Sequence, residues 1–232
     1  MLSRRVLDGR VPDQSQWTVI VPVKGFSAAK SRIDSASAAP ADLARAFLKD
    51  VLAAIAQAPS VARLIVATAD PAVAEVASEH GAEVVDDSGH PGINAAAAHA
   101  SRQRAAGTGV AVVVSDLPGL TPSALGAALS LASLASTSFI ADRAGTGTTM
   151  WMSGDGLGFP CHFGPQSRRA HVAAGALDLV AHHPEQRSAL AAARADIDTW
   201  SELLEATRVG SFTAELLEAN SVIHLGEDLR ST

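Results

Sequence analysis

Three cationic side chains follow the first apolar run of the chain. Lys24, Lys30 and Arg32 lie in the stretch VPVKGFSAAKSR, residues 21–32, directly after the apolar residues WTVI. Small residues such as Gly25 separate them, so the backbone could approach phosphate oxygens while the cations supply charge-assisted hydrogen bonds. The stretch matches neither the GxxxxGK nor the GxGxxG phosphate motif. Two interpretations therefore stand, a loop that binds nucleotide phosphates and an ordinary solvated loop.

An aspartate ends the most apolar run of the chain. Residues 110–116, VAVVVSD, are apolar at every position until Ser115, as expected of a central strand buried on both faces. A carboxylate at Asp116 needs a partner, because an unpaired charge in an apolar environment is costly. Magnesium is one candidate, since it takes one or two carboxylates and leaves its other positions to water and substrate phosphates. Capping of the turn before Pro118 is the alternative.

A pair of aspartates stands late in the chain, in ADIDTWSELLEA. Asp196 and Asp198 are two residues apart, so on an extended segment both carboxylates point to one face. They would repel each other there unless a cation lay between them. Alternatively, Asp198 or Thr199 caps a helix that begins near Ser201, which would explain one aspartate but not the pair.

Two loops rich in glycine and hydroxyl groups complete the candidate chemistry. The stretch ADRAGTGTTMW could bind a ligand or could be a simple hairpin turn. In FGPQSRRAH, Ser167 precedes a helical stretch and could be its N-cap, although helix N-termini also bind phosphate and carboxylate groups. His162 and His171 lack the spacing of metal ligands and are expected to be packing or surface residues. No serine stands in GxSxG, so no covalent nucleophile is predicted.

The elements that must position these residues follow an α/β pattern. Short β-branched runs alternate with alanine-rich helical stretches, which is typical of a largely parallel sheet with helices on both faces. Ligands bind outside the carboxyl ends of the strands in such sheets, so the polar residues at strand ends are expected to share one edge. The predicted strands are residues 17–23, 62–68, 82–86, 110–116, 138–142 and 148–152, with a weaker run near 189–197.

Local signals also place the helices. Apolar residues at helical spacing predict a helix over 42–57 that faces the sheet. The pair Asp70-Pro71 is an N-cap followed by proline at the first helical position, and Gly81 ends that helix. The pair Thr121-Pro122 repeats the start signal for a helix that ends near Ala135.

Composition limits the class of protein. The chain has 232 residues, a net charge of −6 and one cysteine, Cys161. The negative charge argues against non-specific nucleic-acid binding, and one cysteine excludes an intrachain disulfide. No apolar run has the length of a signal peptide core or a membrane span, so we expect a cytoplasmic protein without membrane partners. We predict one domain over residues 16–232, preceded by a flexible extension over residues 1–15.

In combination, five stretches resemble a known family. VPVKGFSAAKSR, SDLPGLTP, GTGTTMW, FGPQS and DIDTWSELL occur in that order within residues 17–205. They resemble the guanylyltransferases of deazaflavin coenzyme F-420 biosynthesis, which activate phosphoenolpyruvate or 2-phospho-L-lactate with GTP. The resemblance implies a nucleotide-diphospho-sugar transferase (GT-A-like) fold, which is a three-layer α/β/α sandwich around a mostly parallel mixed sheet. It also implies Mg²⁺-dependent attack of the substrate phosphate on the α-phosphorus of GTP, with loss of pyrophosphate.

The resemblance assigns roles to residues of this chain. The catalytic cations at the phosphates would be Lys24, Lys30 and Arg32. The ligands of Mg²⁺ would be Asp116, Asp196 and Asp198. The phosphorylated three-carbon acid would be held, partly through backbone N–H groups, by Thr149, Gly164 and Ser167. Asn94 would lie with Gly25 near the nucleotide, and the chain departs from the family at Gly119, where a bulkier residue is common.

The predicted partners are GTP and a phosphorylated acid. The high alanine content suggests a GC-rich bacterial source, for which the resemblance favours phosphoenolpyruvate over 2-phospho-L-lactate; a homodimer is left open. The alternatives are another nucleotidyltransferase or a glycosyltransferase on the same fold, and a non-catalytic nucleotide sensor. Three cations near the first strand favour attack on a nucleoside triphosphate, because they can neutralise a departing pyrophosphate.

Overall fold

The structure is a computed structural model that describes residues 16–26, 38–156 and 160–228. The predicted extension over residues 1–15 lies outside the described residues. Lys30 and Arg32, two of the three cations assigned to the phosphates, lie outside them as well.

One mixed sheet of seven strands forms the centre of the described structure. Its strand order is β3-β2-β1-β4-β6-β5-β7. Among these strands only β6 runs antiparallel to its neighbours. The strands are β1 (Trp17–Pro22), β2 (Val61–Ala67), β3 (Glu83–Val85), β4 (Gly109–Val113), β5 (Thr137–Ala141), β6 (Thr148–Ser153) and β7 (Leu177–Asp178). The prediction of a mostly parallel mixed sheet is confirmed.

Eight α-helices accompany the described strands. They are α1 (Pro40–Ala56), α2 (Pro71–Glu79), α3 (Ile93–Ala100), α4 (Pro122–Ala132), α5 (Ser167–Ala173), α6 (Leu179–His182), α7 (Trp200–Glu205) and α8 (Ser211–Asp228). Short 3-10 helices cover Ser101–Gln103, Pro184–Gln186 and Ala191–Arg194. No helix of the described residues is both long and apolar enough to cross a membrane.

The helices cover both faces of the sheet. Alternate residues of a strand point to opposite faces, and β1 follows this rule. Val19 and Val21 pack with residues of α1, α2 and α4, whereas Ile20 packs with Ala96 and Ala100 of α3 on the other face. All five residues of β4 are buried, as expected of a central strand. The result is the predicted three-layer α/β/α arrangement.

The predicted helix signals act as expected. The Asp70 side chain accepts hydrogen bonds from the backbone N–H groups of Ala72 and Val73 at the start of α2. The Thr121 hydroxyl accepts one from Ala124 N at the start of α4. Each of these helices has proline in its first turn, where the missing N–H costs nothing.

The weak strand predicted near residues 189–197 is wrong. This segment contains the 3-10 helix Ala191–Arg194 and an irregular stretch after it. Its buried apolar residues, Leu190, Ala193 and Ile197, recur every three or four positions, which is a helical and not an alternating spacing. The short strand β7 was not predicted.

Candidate active site

The topology creates a crevice at the carboxyl ends of β1 and β4. The chain proceeds from β1 outward to β2 and β3 and then returns to the other side of β1 with β4. Ligands bind at such a switch point in open α/β sheets. Lys24 follows β1 and is exposed, and Asp116 follows β4. The structure therefore places a predicted cation and a predicted metal ligand at the same edge of the sheet.

Gly25 lies against the N-cap of α2. A Cβ atom at Gly25 would collide with the Asp70 carboxylate, so the loop after β1 can follow this path only without a side chain here. This contact is a structural reason for the glycine. The predicted approach of Gly25 to nucleotide phosphates stays a prediction.

The aspartates predicted from sequence meet at this edge. Ile197 N donates a hydrogen bond of 3.0 Å to the backbone oxygen of Asp116, which joins the segment of Asp196 and Asp198 to the end of β4. Burial and, to a smaller extent, the negative charges of Asp116, Asp142 and Asp198 raise the pKa of Asp196 to about 7. Three carboxylates thus lie near enough to Asp196 to oppose its ionisation.

Thr199, and not Asp198, caps the helix that follows the aspartate pair. The Thr199 hydroxyl accepts from Glu202 N, and the Glu202 carboxylate accepts from Thr199 N in return. Ile197 is buried between the two aspartates, whereas Asp196 is half-buried and Asp198 is exposed. The alternation directs both aspartates away from the core, as their spacing predicts.

The carboxylates suit a hard divalent cation by type of donor atom. Oxygen ligands from one or two carboxylates, with water and phosphate in the other positions, are the usual coordination of Mg²⁺. Within the described residues, no three acidic, histidine or cysteine side chains converge closely enough to form a metal-binding group. Mutual repulsion is a physical reason for carboxylates to stay apart without a cation between them. Asp116, Asp196 and Asp198 are the predicted ligands of the ion, and their assignment stays a prediction.

Asp142 is a member of this edge that sequence reasoning missed. It follows β5 and is buried, and its carboxylate accepts hydrogen bonds from Thr146 N at 2.9 Å and Gly147 N at 2.7 Å. A side chain on Gly147 would collide with that carboxylate, so the loop can wrap around Asp142 only with glycine there. The sequence did contain a signal for this residue, because Asp142 ends a predicted apolar strand as Asp116 does.

Arg194 fixes the segment of the aspartate pair to the end of β5. Its buried guanidinium donates to the backbone oxygens of Ala141 at 3.0 Å and Asp142 at 2.7 Å. Burial lowers the pKa of Arg194 from its ordinary value, and the nearby charge of Arg187 lowers it further. This arginine was not singled out by sequence, because its partners are backbone atoms more than fifty residues away.

Thr149 is buried in β6, and its hydroxyl is already engaged. It donates a hydrogen bond of 2.6 Å to the backbone oxygen of Ala193. A contact of this hydroxyl with the phosphorylated acid would require breaking that bond, which links β6 to the 3-10 helix before Asp196. The predicted substrate contact of Thr149 stays a prediction.

Asn94 holds the loop that contains Gly164. Its side-chain nitrogen donates to Phe163 O at 2.9 Å, and its side-chain oxygen accepts from Phe163 N at 2.8 Å. Both polar atoms of the amide are therefore occupied by one residue of the backbone. Asn94 thus has a positioning contact with the predicted acid-binding loop, and its predicted place near the nucleotide stays a prediction.

The loop after Phe163 presents its backbone to solvent. Gly164 has a φ of 133°, a conformation that favours glycine, and it is exposed. Ser167 is the first residue of α5 and not its N-cap, and Ser167 N donates to Gly164 O at 3.1 Å. Arg168 N donates to Thr146 O at 3.2 Å, so this loop adjoins the loop around Asp142.

His171 is a core residue that supports this loop, as expected. It is fully buried, its Nε2 accepts from His162 N at 2.8 Å, and its Nδ1 lies 3.0 Å from the Thr148 hydroxyl. Burial and, to a smaller extent, the neighbouring His162 lower its pKa to about 4. Because Nε2 accepts, the neutral ring carries its proton on Nδ1 and donates it to Thr148.

Comparison with known proteins agrees with this architecture. Two solved structures cover most of the chain at low sequence identity. One, from Desulfovibrio desulfuricans G20, is assigned to the nucleotide-diphospho-sugar transferases and has a TM-score of 0.57 at 17% identity, covering 90% of this chain and 96% of its own. The other is a nucleotidyl transferase from Methanothermobacter with a TM-score of 0.56 at 16% identity, covering 88% of this chain and 99% of its own. The fold is that of nucleotidyl and nucleotide-diphospho-sugar transferases, as predicted.

The family follows from the sequence comparisons. The model of the family described as guanylyl transferase CofC like matches residues 17–175. Phosphoenolpyruvate guanylyltransferase of Salinispora arenicola is 39% identical over 198 residues, covering 84% of this chain and 89% of the relative. The enzyme of the same name from Thermomonospora curvata is 39% identical over 202 residues, covering 84% and 85%. The chain belongs to the CofC-like guanylyltransferase family and is a nucleotidyltransferase, which confirms the resemblance noted in its motifs.

Proposed function

We propose that this enzyme couples GTP to phosphoenolpyruvate with the help of Mg²⁺. The products are enolpyruvyl-diphospho-guanosine and pyrophosphate, which assigns the enzyme to the biosynthesis of deazaflavin coenzyme F-420. The proposal is supported by relatives named phosphoenolpyruvate guanylyltransferase that align with 84% of the chain. The observation that carries it is the group of carboxylates at the switch point, where Asp196 has a pKa raised to about 7 by burial and by its acidic neighbours.

The reaction requires positioning and charge neutralisation more than covalent chemistry. An oxygen of the phosphoenolpyruvate phosphate forms a bond to the α-phosphorus of GTP. The bond from that phosphorus to the oxygen bridging to the β-phosphorus breaks, and pyrophosphate leaves with the electron pair. The attacking phosphate is already ionised at neutral pH, so no general base is needed. Such transfers depend on alignment and on stabilisation of the charge on the phosphate oxygens.

The residues of the chain would divide this task by position. Asp116, Asp196 and Asp198 would hold Mg²⁺, which would offset the charge of the reacting phosphates when bound. Lys24 stands at the same edge and would stabilise negative charge on the departing pyrophosphate, together with Lys30 and Arg32 of the adjoining loop. The exposed backbone around Gly164 and the N-terminus of α5 would face the phosphorylated acid.

Pyrophosphate release measured with three acids tests the proposal. GTP and Mg²⁺ are incubated in parallel with phosphoenolpyruvate, 2-phospho-L-lactate and 3-phosphoglycerate. We expect release with phosphoenolpyruvate, and a clear preference for 2-phospho-L-lactate would instead identify that acid as the substrate. Absence of release with every acid, alongside measurable GTP binding, would overturn the proposal in favour of a sensor or a glycosyltransferase.

The edge of the sheet that carries Asp116, Asp142, Asp196 and Asp198 is called the carboxylate edge below. Two variants test whether the reaction takes place there. Asp116→Asn keeps the shape of the side chain but removes its charge, so turnover should fall by about a hundredfold or more, as when one strong electrostatic contact to the transition state is lost. Asp87→Asn makes the same change after the edge strand β3, which two strands separate from β4, and should leave turnover unchanged. Full activity of Asp116→Asn with Mg²⁺ would remove Asp116 from the metal site.

A further inference from the structure

Four arginines line one cavity beside the carboxylate edge. The cavity has a volume of about 530 Å³, and Arg143, Arg187, Arg194 and Arg208 all contribute to its wall. No acidic residue is among the described residues that line it, and none of the residues predicted to bind metal, nucleotide or acid is among them either. We call it the arginine cavity.

The arginines come from separate segments of the chain. Arg143 follows β5, Arg187 and Arg194 lie in the region between α6 and α7, and Arg208 precedes α8. Arg194 is buried, which lowers its pKa; the charges of Arg187 and Arg143 also act to lower it, and those of Asp178 and Asp142 act to raise it. In the part of the chain that the structure describes, none of the ion pairs involves Arg143, Arg187 or Arg208.

The first turn of α4 adds to the positive potential. Thr121 and Ser123 contribute to the wall of the cavity at the N-terminus of this helix of 11 residues. Backbone N–H groups and the helix dipole favour an anion at such a position, and one of the two hydroxyl groups, which are hydrogen-bonded to each other at 3.0 Å, can donate to it. The positive potential of the cavity therefore has two independent sources.

Like charges gathered in one cavity oppose one another in the absence of a bound anion, and among the described residues no ion pair offsets Arg143, Arg187 and Arg208. A protein of net charge −6 that nevertheless concentrates arginine in one cavity has a local site for an anion. Guanidinium groups bind both carboxylate and phosphate oxygens, but donors on several walls suit the oxygens of phosphate groups, which point in more directions than those of a planar carboxylate. The volume lies within the range of small-molecule sites.

We propose that the arginine cavity binds a diphosphate group, either as inorganic pyrophosphate or as part of a nucleoside diphosphate. This site adjoins the carboxylate edge, since Ala195 and Ile197 of its wall flank Asp196, but its wall does not include the predicted metal ligands. It is independent of the proposed reaction, because it depends on the arginines and the start of α4 alone.

Calorimetric titration without metal separates this site from the carboxylate edge. Pyrophosphate is titrated into the full-length protein in EDTA at about 0.15 M salt, where the carboxylates repel an anion. We expect a dissociation constant below about 1 mM. Orthophosphate should bind more weakly, since it makes fewer contacts, and citrate should bind more weakly than pyrophosphate. ADP is the fourth probe: tighter binding than pyrophosphate would identify the nucleoside diphosphate as the better ligand, and weaker binding would identify the inorganic ion.

Exposed arginines provide variants that should fold normally. Arg187→Ala and Arg208→Ala should each weaken pyrophosphate binding by about tenfold or more, because each removes a charge-assisted contact. Arg102→Ala removes an exposed arginine that does not line the cavity and should bind as the parent does. The proposal would be overturned if the parent protein did not bind pyrophosphate, or if it bound citrate as tightly. It would also be overturned if Arg102→Ala weakened binding as much as the cavity variants do, or if both cavity variants bound pyrophosphate as the parent does.

Discussion

Asn94 occupies both polar atoms of its side chain with a single backbone residue, Phe163. Truncation to alanine would leave the N–H and C=O of Phe163 without these partners and would loosen the loop that continues to Gly164. We expect Asn94→Ala to lower the unfolding free energy by about 1 to 3 kcal/mol. In the proposed reaction the same substitution should raise KM for the phosphorylated acid more than KM for GTP.

Steady-state kinetics with each substrate varied in turn distinguish the two roles considered for Asn94. A positioning residue of the acid-binding loop affects KM for the acid. A nucleotide contact, as predicted from the sequence, would raise KM for GTP with little change for the acid. Asn220→Ala provides a control, since Asn220 forms one local hydrogen bond within α8.

His171 makes the stability of the fold depend on pH. Its pKa is lowered to about 4 in the folded protein, from an ordinary value of 6.5. Above pH 6.5 the ring is neutral in both states, and its contribution to stability is fully present. Between pH 6.5 and about 4 the unfolded chain binds a proton that the folded protein does not, so stability falls as pH falls, by at most about 1.4 kcal/mol per pH unit.

The variant His171→Gln isolates this effect from the other histidines. A glutamine oxygen can still accept from His162 N, but the side chain does not titrate. Urea unfolding at pH 7 and at pH 5 should show that the difference in unfolding free energy between parent and variant narrows at the lower pH. A difference that stays constant would mean that His171 is not the group responsible.

At the scale of elements, one buried carboxylate attaches the last helix to the first. Asp50 of α1 accepts hydrogen bonds from Phe212 N at 3.0 Å, Thr213 N at 3.1 Å and the Thr213 hydroxyl at 2.6 Å. Burial raises the pKa of Asp50, and these donors act against that shift. The carboxylate therefore satisfies N–H groups at the start of α8 that have no partner within the helix.

Removing this cap should destabilise the protein. Asp50→Ala should lower the unfolding free energy by about 1 to 3 kcal/mol, because buried N–H groups lose their acceptor. Thr213→Val removes only the hydrogen bond from the Thr213 hydroxyl to Asp50 and should lower the unfolding free energy by less. Urea denaturation measures both effects, and an unchanged midpoint for Asp50→Ala would show that α8 does not depend on this contact.

Close packing between elements also explains a departure from the family. Gly119, where a bulkier residue is common, faces the backbone oxygen of Arg208, and a Cβ atom there would lie only 2.7 Å from it. The chain thus brings the segment before α8 against the loop after β4, where Gly210 N donates to Pro118 O at 2.7 Å. A larger residue at position 119 of this chain would require a different path for that segment.

At the scale of the whole molecule, sequence predicts what is encoded locally. The caps at Asp70 and Thr121 and the apolar strands could be predicted because each depends on neighbours in sequence. Asp116 and the pair at 196 and 198 were expected at one edge, since carboxyl ends of parallel strands meet there.

What sequence did not predict depends on contacts between distant segments. The bonds of Asn94 to Phe163 span 69 residues, and those of Arg194 to the end of β5 span more than 50. Neither residue type indicates such a partner, because amide and guanidinium groups bond to any exposed carbonyl. The arginine cavity is likewise assembled from four separate segments and has no motif in the sequence.

Because the predicted metal ligands come from different segments, Mg²⁺ should stabilise the whole fold. Asp116 follows β4, whereas Asp196 and Asp198 lie between the last 3-10 helix and α7. An ion that binds only the folded state adds about 2.7 kcal/mol at a concentration a hundredfold above its dissociation constant. The measurement is Tm in Mg²⁺ against Tm in EDTA, with Asp196→Asn as the informative variant.

Two opposite changes are expected for Asp196→Asn. In EDTA the variant should be at least as stable as the parent, because a buried carboxylate repelled by its acidic neighbours is replaced by a neutral group of the same shape. In Mg²⁺ it should show little of the increase in Tm seen for the parent, because one ligand is lost. Asp87→Asn should respond to Mg²⁺ as the parent does. If parent and Asp196→Asn gain equally from Mg²⁺, the ion binds elsewhere, and the carboxylates at this edge need another counter-charge.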